Sequence, residues 1–446
     1  MGKYFGTDGV RGFANETLTL DMAVSIGTYL GWYYSKNHRA KILIGKDTRL
    51  SGDMFELGVA AGAVAAGANV YLLGVCPTPA VSYLCERERF DCGVMISASH
   101  NPYHDNGIKL FNGAGCKMDQ EVLDNIEKYM DRIHEEEVCF AVDNHIGKTI
   151  QWDEGLELYR SHLKSLMNVD LSGLSLMLDL ANGSAISTAY DTLSSLGAEV
   201  HVIHGNANGT NINLKCGSTH PEDLQRRMKE GNYDAGFAFD GDADRLIVVD
   251  EDGNLMNGDY FMYILGCYMK DKNQLKDNVV VTTVMSNLGL YRAFDEVGIN
   301  TKITDVGDKY VFECLKDNNY SLGGEQSGHM IFYDHQNTGD GLFSALKLLE
   351  VMKASGKSLK ELGKDLFIYP QLLVNTPVKD KATIMQNEEL LQHIKEVEEE
   401  LGKEGRILVR PSGTEPLLRV MVEAKTDELC HKYVYKIIDF MKEKGL

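Results

Sequence analysis

Short apolar runs and glycine-marked turns alternate along most of this chain. Lys41-Ile42-Leu43-Ile44-Gly45 reads as a buried strand closed by the polar group Lys46-Asp47-Thr48-Arg49. Phe55 to Ala66, rich in Ala and Leu, reads as a helix. Gly67-Ala68-Asn69-Val70-Tyr71-Leu72-Leu73-Gly74 returns as a strand and completes a βαβ unit. The same order recurs twice. Leu174 to Asp179 leads through Asn182-Gly183 and a helical run ending at Leu196 to a strand ending at Ile203. Asn278 to Thr283 leads through a helical run carrying Leu290 and Phe294 to Gly298-Ile299-Asn300-Thr301-Lys302-Ile303. A glycine falls 20 to 26 residues after each strand start. A three-fold structural repeat is the economical account, with three unrelated βαβ units as the alternative. Either predicts mixed α/β sheets.

The last segment breaks this pattern. It offers a strand-like Gln371 to Thr376, a charged helix Glu388 to Leu401, a strand Leu418 to Glu423 and a closing helix over 427–443, which predicts a small α+β domain. Breaks near Thr149-Ile150, Asp252-Gly253-Asn254 and Tyr369-Pro370 divide the chain into four segments: 1–150, 151–253, 254–369 and 370–446. A chain of 446 residues exceeds one compact core, so several domains are expected.

Composition narrows the function. The 65 acidic and 45 basic residues leave a formal charge of −20, which argues against nucleic acid or an anionic membrane as the main partner. Any phosphate site must then be a local basic pocket in a repulsive background. The longest apolar stretch, Val59 to Val75, is broken by Gly62, Gly67, Gly74 and Asn69, so it predicts a helix, a turn and a strand, not a membrane span. The nine cysteines form no CxxC pair and the opening residues show no signal-peptide pattern. Reduced thiols and a cytoplasmic location are the expectation.

Four stretches carry candidate chemistry. Val94 to Phe111 runs from apolar residues into Ser97-Ala98-Ser99-His100-Asn101-Pro102, then Asp105-Asn106-Gly107 and Ile108-Lys109. Strand residues entering such a turn predict a loop at a sheet edge. Ser99 is a candidate nucleophile there, with His100 beside it and Lys109 ten residues on as a candidate base. A plain surface turn is equally open on these residues alone. Asp240, Asp242 and Asp244 alternate around Gly241 and Ala243. In an extended loop they would share one side and converge on a hard divalent cation, and a site with positions left for water or phosphate oxygen suits Mg²⁺. A solvated acidic turn is the alternative; Ala243 and the apolar run Leu246 to Val249 exclude an EF-hand. Gly323-Gly324-Glu325-Gln326-Ser327-Gly328-His329 is a glycine-bounded polar loop. Arg410-Pro411-Ser412-Gly413-Thr414-Glu415-Pro416 is either a structural turn or an anion site, in which guanidinium, hydroxyls and a glycine backbone N–H would converge.

In this order the four stretches resemble the site segments of the alpha-D-phosphohexomutase superfamily. The opening Phe5-Gly6-Thr7-Asp8-Gly9-Val10-Arg11-Gly12 and the form of residues 324–329 resemble its phosphoglucosamine mutase branch. The resemblance implies an α/β fold of four domains, three related mixed α/β domains plus a smaller α+β C-terminal domain, around a central cleft. It implies that Ser99 carries a phosphoryl group, and that one Mg²⁺ per chain is held by Asp240, Asp242, Asp244 and the Ser99 phosphate. Lys109 matches the general base, with His100 as the competing proton carrier and Arg11 and Arg245 as cationic neighbours. Glu325 and Ser327 would bind sugar hydroxyls, and His329 would sense the C2 substituent. Gly307 and Asp308 resemble a further substrate loop. Arg410, Ser412, Gly413 and Thr414, supported by Arg419, match a distal phosphate site. Two departures stand out: Ala243 replaces a usual glycine, and Lys309 stands where arginine is frequent.

The implied reaction interconverts glucosamine 6-phosphate and glucosamine 1-phosphate, primed by a hexose or hexosamine 1,6-bisphosphate, for UDP-N-acetylglucosamine and cell-wall precursors. The implied partner is a small sugar phosphate, with no nucleic acid or membrane, and the enzyme a monomer or homodimer. Phosphoglucomutase or phosphomannomutase activity is the alternative within the family. A metal-dependent sugar phosphatase and a non-enzymatic sugar-phosphate sensor are the alternatives outside it.

Overall fold

The computed structural model describes residues 2–378, 383–411 and 417–446. Packing divides the chain into two compact bodies, 1–285 with 299–364, and 286–298 with 365–446.

The first body holds three sheets. The first has six strands in the order Val10–Phe13, Asp105–Asn112, Cys92–Ile96, Lys41–Lys46, Asn69–Val75, Thr149–Gln151. The second runs Leu255–Met256, Leu246–Val249, Ala235–Phe239, Ser175–Asp179, Glu199–Ile203. The third runs Met330–Phe332, Leu322–Gly324, Val279–Thr283, Asn300–Thr304. All three predicted βαβ pairs are present and parallel. The repeat also reaches further than the sequence pattern suggested. In each sheet the leading strand takes a second parallel neighbour on its other side. That neighbour then turns into an antiparallel hairpin partner.

The central strands are apolar on both faces because helices cover both sides. Cys92–Ile96, Ala235–Phe239 and Val279–Thr283 are buried at every position. In the first sheet's layer, helix Leu20–Tyr34, capped by the Thr19 hydroxyl, lies against helix Gly52–Ala65. Glycines make that approach possible: a Cβ at Gly27 would meet the Val59 carbonyl at 2.0 Å, and one at Gly62 the Val24 carbonyl at 2.2 Å.

The second body is built on a three-stranded antiparallel sheet, Gln371–Pro377, Leu417–Ala424 and Gly405–Pro411. Leu418, Val420 and Val422 point into a core with Val434 and Ile437 of the closing helix Asp427–Lys444. Helix Leu288–Val297, the connector of the third βαβ unit, belongs to this body. Its first N–H and the Asn287 amide donate to the fully buried Glu423 carboxylate, at 2.8 and 3.3 Å, and Arg406 pairs with the same group at 3.0 Å. Strand Gly405–Pro411 corrects the sequence reading, which began a loop at Arg410. Ile407-Leu408-Val409 pair with the central strand and carry the ladder through Pro411, opposite Leu418. No described helix is long and apolar enough to cross a membrane.

Candidate active site

Three of the four singled-out stretches occupy the same hairpin in the three sheets. Residues 97–104 join Cys92–Ile96 to Asp105–Asn112; residues 240–245 join Ala235–Phe239 to Leu246–Val249; residues 325–329 join Leu322–Gly324 to Met330–Phe332. The Ser99 loop is therefore not at a sheet edge, as its residues suggested. Val10–Phe13 pairs outside Asp105–Asn112, with Val10 opposite Ile108, and places the hairpin inside the sheet.

Ser99 sits in the left-handed backbone region, φ +52°, a conformation that costs a non-glycine residue about 1 kcal/mol. A buried clamp holds it there. Arg49 Nη2 donates to the Ser99 and Asn101 carbonyls, both at 2.8 Å, and Nη1 donates to those of Pro102 and Asp105. Asp47 orients Arg49 through Nε at 2.9 Å and accepts the Ser97 hydroxyl at 2.6 Å. Ser97 Oγ in turn receives the Ser99 N–H. Asn213 Nδ2 approaches from the second sheet's side and donates to the same Ser99 carbonyl at 2.8 Å. The clamp leaves the Ser99 hydroxyl directed at Asp240, with a 2.6 Å bond to Oδ2.

Asp240, Asp242 and Asp244 converge as expected, but not through an extended loop. The segment is a turn closed by the Ala243 N–H on the Asp240 carbonyl, and Ala243 itself takes φ +56°. The alanine that departs from the usual glycine adopts the glycine-favoured conformation and buries its methyl. One oxygen from each carboxylate lies within 4.8 Å of the others. All three side chains are buried, and Asp242 Oδ1 and Asp244 Oδ1 have no hydrogen-bond partner among the described residues. Buried, orphaned hard oxygens in a close triad, beside the Ser99 hydroxyl, are a donor set that fits a hard divalent cation.

Lys109 closes the other side. Its Nζ lies 2.7 Å from Asp242, 3.0 Å from Asp8 and 3.3 Å from Asp244. Burial disfavours its charge, yet Asp242, Asp8 and Asp244 hold its pKa well above the ordinary lysine value. Burial works against Asp8 in the same way, but Lys109, Lys117 and Arg11 hold it well below the carboxylate range. Asp240, by contrast, is pushed up by burial and by Asp244 and Asp242. His100 Nδ1 is 3.4 Å from Ser99 Oγ and 3.3 Å from Arg245 Nη1. Burial, Arg245 and Arg11 push its pKa down to about 4, so the imidazole is neutral, and the arginine donor places a lone pair on Nδ1.

An open cleft of about 480 Å³ adjoins this centre, lined by Tyr4, residues 6–9 and Arg11 together with Asp244, Arg245, Gly307, Asp308, Glu325 and His329. Ser327 lines a neighbouring depression with Arg245 and Glu325. The Gly307 N–H donates to Glu325 Oε1 at 3.0 Å, so the two predicted substrate loops are joined. Asp308 is paired with Lys117 at 2.6 Å, whereas Glu325 has no ion pair among the described residues. His329 faces Asp244 and Asp308 at 3.7 and 3.8 Å. Burial opposes a charge there, but Asp244 and Asp308 draw its pKa up to about 9. The Gly339 N–H aims at His329 Nε2 at 3.0 Å, which needs a lone pair. That bond acts against the carboxylates that raise the pKa: it needs the ring's one proton on Nδ1, toward Asp244, and protonation at Nε2 would break it.

Arg410 and Arg419 are cross-strand partners in the second body, and burial and Arg419 together lower the Arg410 pKa. Two guanidinium groups held as direct strand neighbours form a site of positive potential. Ser412, Gly413 and Thr414 lie outside the described residues.

Comparison with known proteins agrees with this geometry. Family models for phosphoglucomutase/phosphomannomutase alpha/beta/alpha domains I, II and III match residues 2–137, 157–253 and 257–368, and the model for the C-terminal domain matches 373–440. A phosphoglucosamine mutase of Lachnospira eligens is 54% identical over 100% of this chain and 99% of its own length. One from Bacillus subtilis is 50% identical over the whole of both chains. The chain belongs to the phosphoglucosamine mutase family. Its four-domain fold is shared more widely. A phosphoglucomutase/phosphomannomutase family protein of Burkholderia thailandensis superposes with a TM-score of 0.82 at 24% identity, covering 98% of this chain and 97% of that one.

Several residues at the centre of this phosphoglucosamine mutase site escaped the sequence reading. Asp8 bridges Lys109 and Lys117 and contacts Arg11, yet it was read only as part of an opening motif. Asp47 and Arg49 were read as the end of a strand. Thr78, whose N–H donates to the Asp242 carbonyl at 2.9 Å and whose hydroxyl bonds the Asp242 carboxylate, carried no local signal. The charged residues Asp47 and Arg49, directly after a buried strand, are the one signal available.

Proposed function

We propose that the protein interconverts glucosamine 6-phosphate and glucosamine 1-phosphate through a phosphoryl group carried on Ser99. The observation that carries the reading is a buried acidic triad that accepts the Ser99 hydroxyl through Asp240 and pairs with Lys109 through Asp242. In the forward step the sugar hydroxyl oxygen forms a bond to phosphorus while the bond from phosphorus to Ser99 Oγ breaks. The product of that half-reaction is the 1,6-bisphosphate. After the sugar turns over, its other phosphoryl group returns to Ser99 and the proton returns to the released hydroxyl.

Asp240, Asp242, Asp244 and the Ser99 oxygen are the residues that would hold Mg²⁺. When bound, the cation neutralises the phosphoryl oxygens and draws off the carboxylate charge that otherwise keeps Lys109 protonated. Lys109, buried and then less held by carboxylates, takes the proton of the attacking hydroxyl. Neutral His100, within reach of Ser99 Oγ, orients that oxygen, and Arg245 and Arg11 offset the phosphate charge. Arg410 and Arg419 are phosphate ligands in this reading. Glu325 and Ser327 bind the sugar hydroxyls.

The same geometry favours an amino sugar. Asp8 and Asp308 are satisfied by lysines, and Glu325 keeps a cleft-facing carboxylate for the C2 ammonium. A hexose or hexosamine 1,6-bisphosphate primes the serine, one substrate is bound per chain, and the reaction belongs in the cytoplasm, where thiols stay reduced. The test is Ser99→Ala assayed with glucosamine 1-phosphate, Mg²⁺ and a bisphosphate primer. Turnover should vanish and the primer should no longer label the protein; near-wild-type turnover would overturn the reading. A release of inorganic phosphate in place of isomerisation would support a phosphatase instead.

A further inference from the structure

Behind the Ser99 and Asp240 hairpins, the second sheet gathers three donors of mixed hardness. Asp179 ends strand Ser175–Asp179, and His204 follows the parallel strand Glu199–Ile203, whose last residue is the register partner of Asp179. The chain then loops out and returns through Cys216, whose neighbour Gly217 donates its N–H to Asp179 Oδ2 at 2.9 Å. One ligating atom from each of Asp179, His204 and Cys216 lies within 4.8 Å of the others. Asp179 and Cys216 are fully buried.

The imidazole decides what this cluster can do. His204 Nδ1 is buried 3.1 Å from Asp179 Oδ2, yet it has no hydrogen-bond partner of acceptable geometry. The Asp179 carboxylate raises the imidazole pKa and favours a proton on Nδ1, so a cation would take this nitrogen by displacing that proton. On its far side, Nε2 lies 3.6 Å from Asp223 Oδ2. A carboxylate behind the non-ligating nitrogen is the usual outer partner of a metal-bound histidine. Cys216 Sγ receives a weak contact from Asn182 Nδ2 at 3.8 Å. Burial pushes the thiol pKa up to about 12, so Cys216 is protonated until an electrophile displaces that proton.

We propose that Asp179, His204 and Cys216 form a binding site for a borderline-soft divalent cation such as Zn²⁺, separate from the acidic triad. One nitrogen, one sulfur and one carboxylate oxygen suit Zn²⁺ or Co²⁺ far better than Mg²⁺. Metal–ligand bonds of about 2.0–2.3 Å require donors about 3.3–3.8 Å apart, so the cluster needs to close by about 1–1.5 Å at most. Binding transfers the Cys216 proton to solvent. Partly exposed His204 provides the entrance. The loop that closes the cluster also carries Asn213, which donates to the Ser99 and Asn101 carbonyls, so an ion here would brace the support of the Ser99 loop.

Cobalt titration of the full-length protein in excess Mg²⁺ tests this, because a thiolate bound to Co²⁺ gives an intense near-ultraviolet charge-transfer band. The expected result is a band saturating at one Co²⁺ per chain and displaced by Zn²⁺. Cys216→Ser should abolish it while leaving turnover within about twofold of wild type. His204→Ala should weaken Co²⁺ binding at least about tenfold, and it serves where the serine variant folds poorly. Asp242→Asn, in the acidic triad, should keep the band even when inactive, so the outcome is independent of the proposed reaction. No band in the wild type, a band that survives both Cys216→Ser and His204→Ala, or a band lost in Asp242→Asn would overturn the proposal.

Discussion

Replacing Arg49 with methionine would leave a fully buried carboxylate, Asp47, beside an apolar side chain of similar length. Removing one partner of a buried ion pair costs about 3–5 kcal/mol. The loss of the other contacts adds less than their number suggests. The Ser99 and Asn101 carbonyls keep the Asn213 amide, and the Pro102 carbonyl keeps the Asp105 N–H. The Asp105 carbonyl loses its guanidinium donor, which adds about 1 kcal/mol. The expected total is about 4–6 kcal/mol. Arg49→Lys keeps the charge beside Asp47 and loses only the forked geometry, so it should cost about 1–3 kcal/mol. Both tryptophans, Trp32 and Trp152, lie in the first body, so urea unfolding followed by tryptophan fluorescence reads the right part of the chain. The pH dependence has a definite sign. Burial already outweighs Arg49 and raises the Asp47 pKa above its usual value. The folded state therefore holds that proton more tightly than the unfolded chain does, and this group's contribution falls as pH rises from the ordinary carboxylate pKa through the raised one. Without Arg49 the raised pKa climbs further. The penalty of Arg49→Met relative to wild type should therefore shrink when pH is lowered from about 7 to about 5. Equal costs for the methionine and lysine variants, within about 1 kcal/mol, or a penalty that grows on acidification, would refute the account of a charge-compensating clamp.

Three further outcomes follow from the site. Lys109→Gln and Lys109→Arg should both lower kcat at least about a hundredfold, while only the arginine variant, which still neutralises Asp8, Asp242 and Asp244, keeps wild-type urea stability. A Cβ at Gly258 would stand 2.0 Å from the Glu325 carbonyl, so Gly258→Ala should displace the 325–329 loop, cost about 1–3 kcal/mol and raise KM more than it lowers kcat. Glu325→Gln should reduce kcat/KM for glucosamine 1-phosphate about tenfold more than for glucose 1-phosphate, about 1.4 kcal/mol of discrimination; an equal loss on both sugars would remove Glu325 from amine recognition.

How much of this was legible beforehand depended on the range of the interaction. The βαβ units were readable because periodicity and glycine turns are local signals. The Ser99 and Asp240 loops were readable because their chemistry is compressed into a few consecutive residues. Strand Gly405–Pro411 was not, because its apolar run is short and the arginines and proline around it resemble a loop; pairing along its whole length with Leu417–Ala424 decides the matter. Asp8, Arg49, Thr78 and Asn213 were missed for a different reason. Each acts on a partner distant in sequence: Asn213 lies 114 residues from Ser99, and Thr78 lies 164 from Asp242. No window along the chain brings such residues together. The repeat supplies what the windows lack. Once the three sheets share a core of four strands in one order, the turn of the antiparallel hairpin falls at the same place in each. Ser99, the carboxylate triad and Glu325 on those three turns are then related positions of one framework. In the proposed reaction the repeat would divide the labour of nucleophile, cation ligand and substrate contact among copies that each keep the same buried strands. That division accounts for how Ala243 and Ser99 can both hold left-handed backbone without loss of the fold. The strain sits at the hairpin tips, and the strands Cys92–Ile96 and Ala235–Phe239 that lead into those tips are buried at every position.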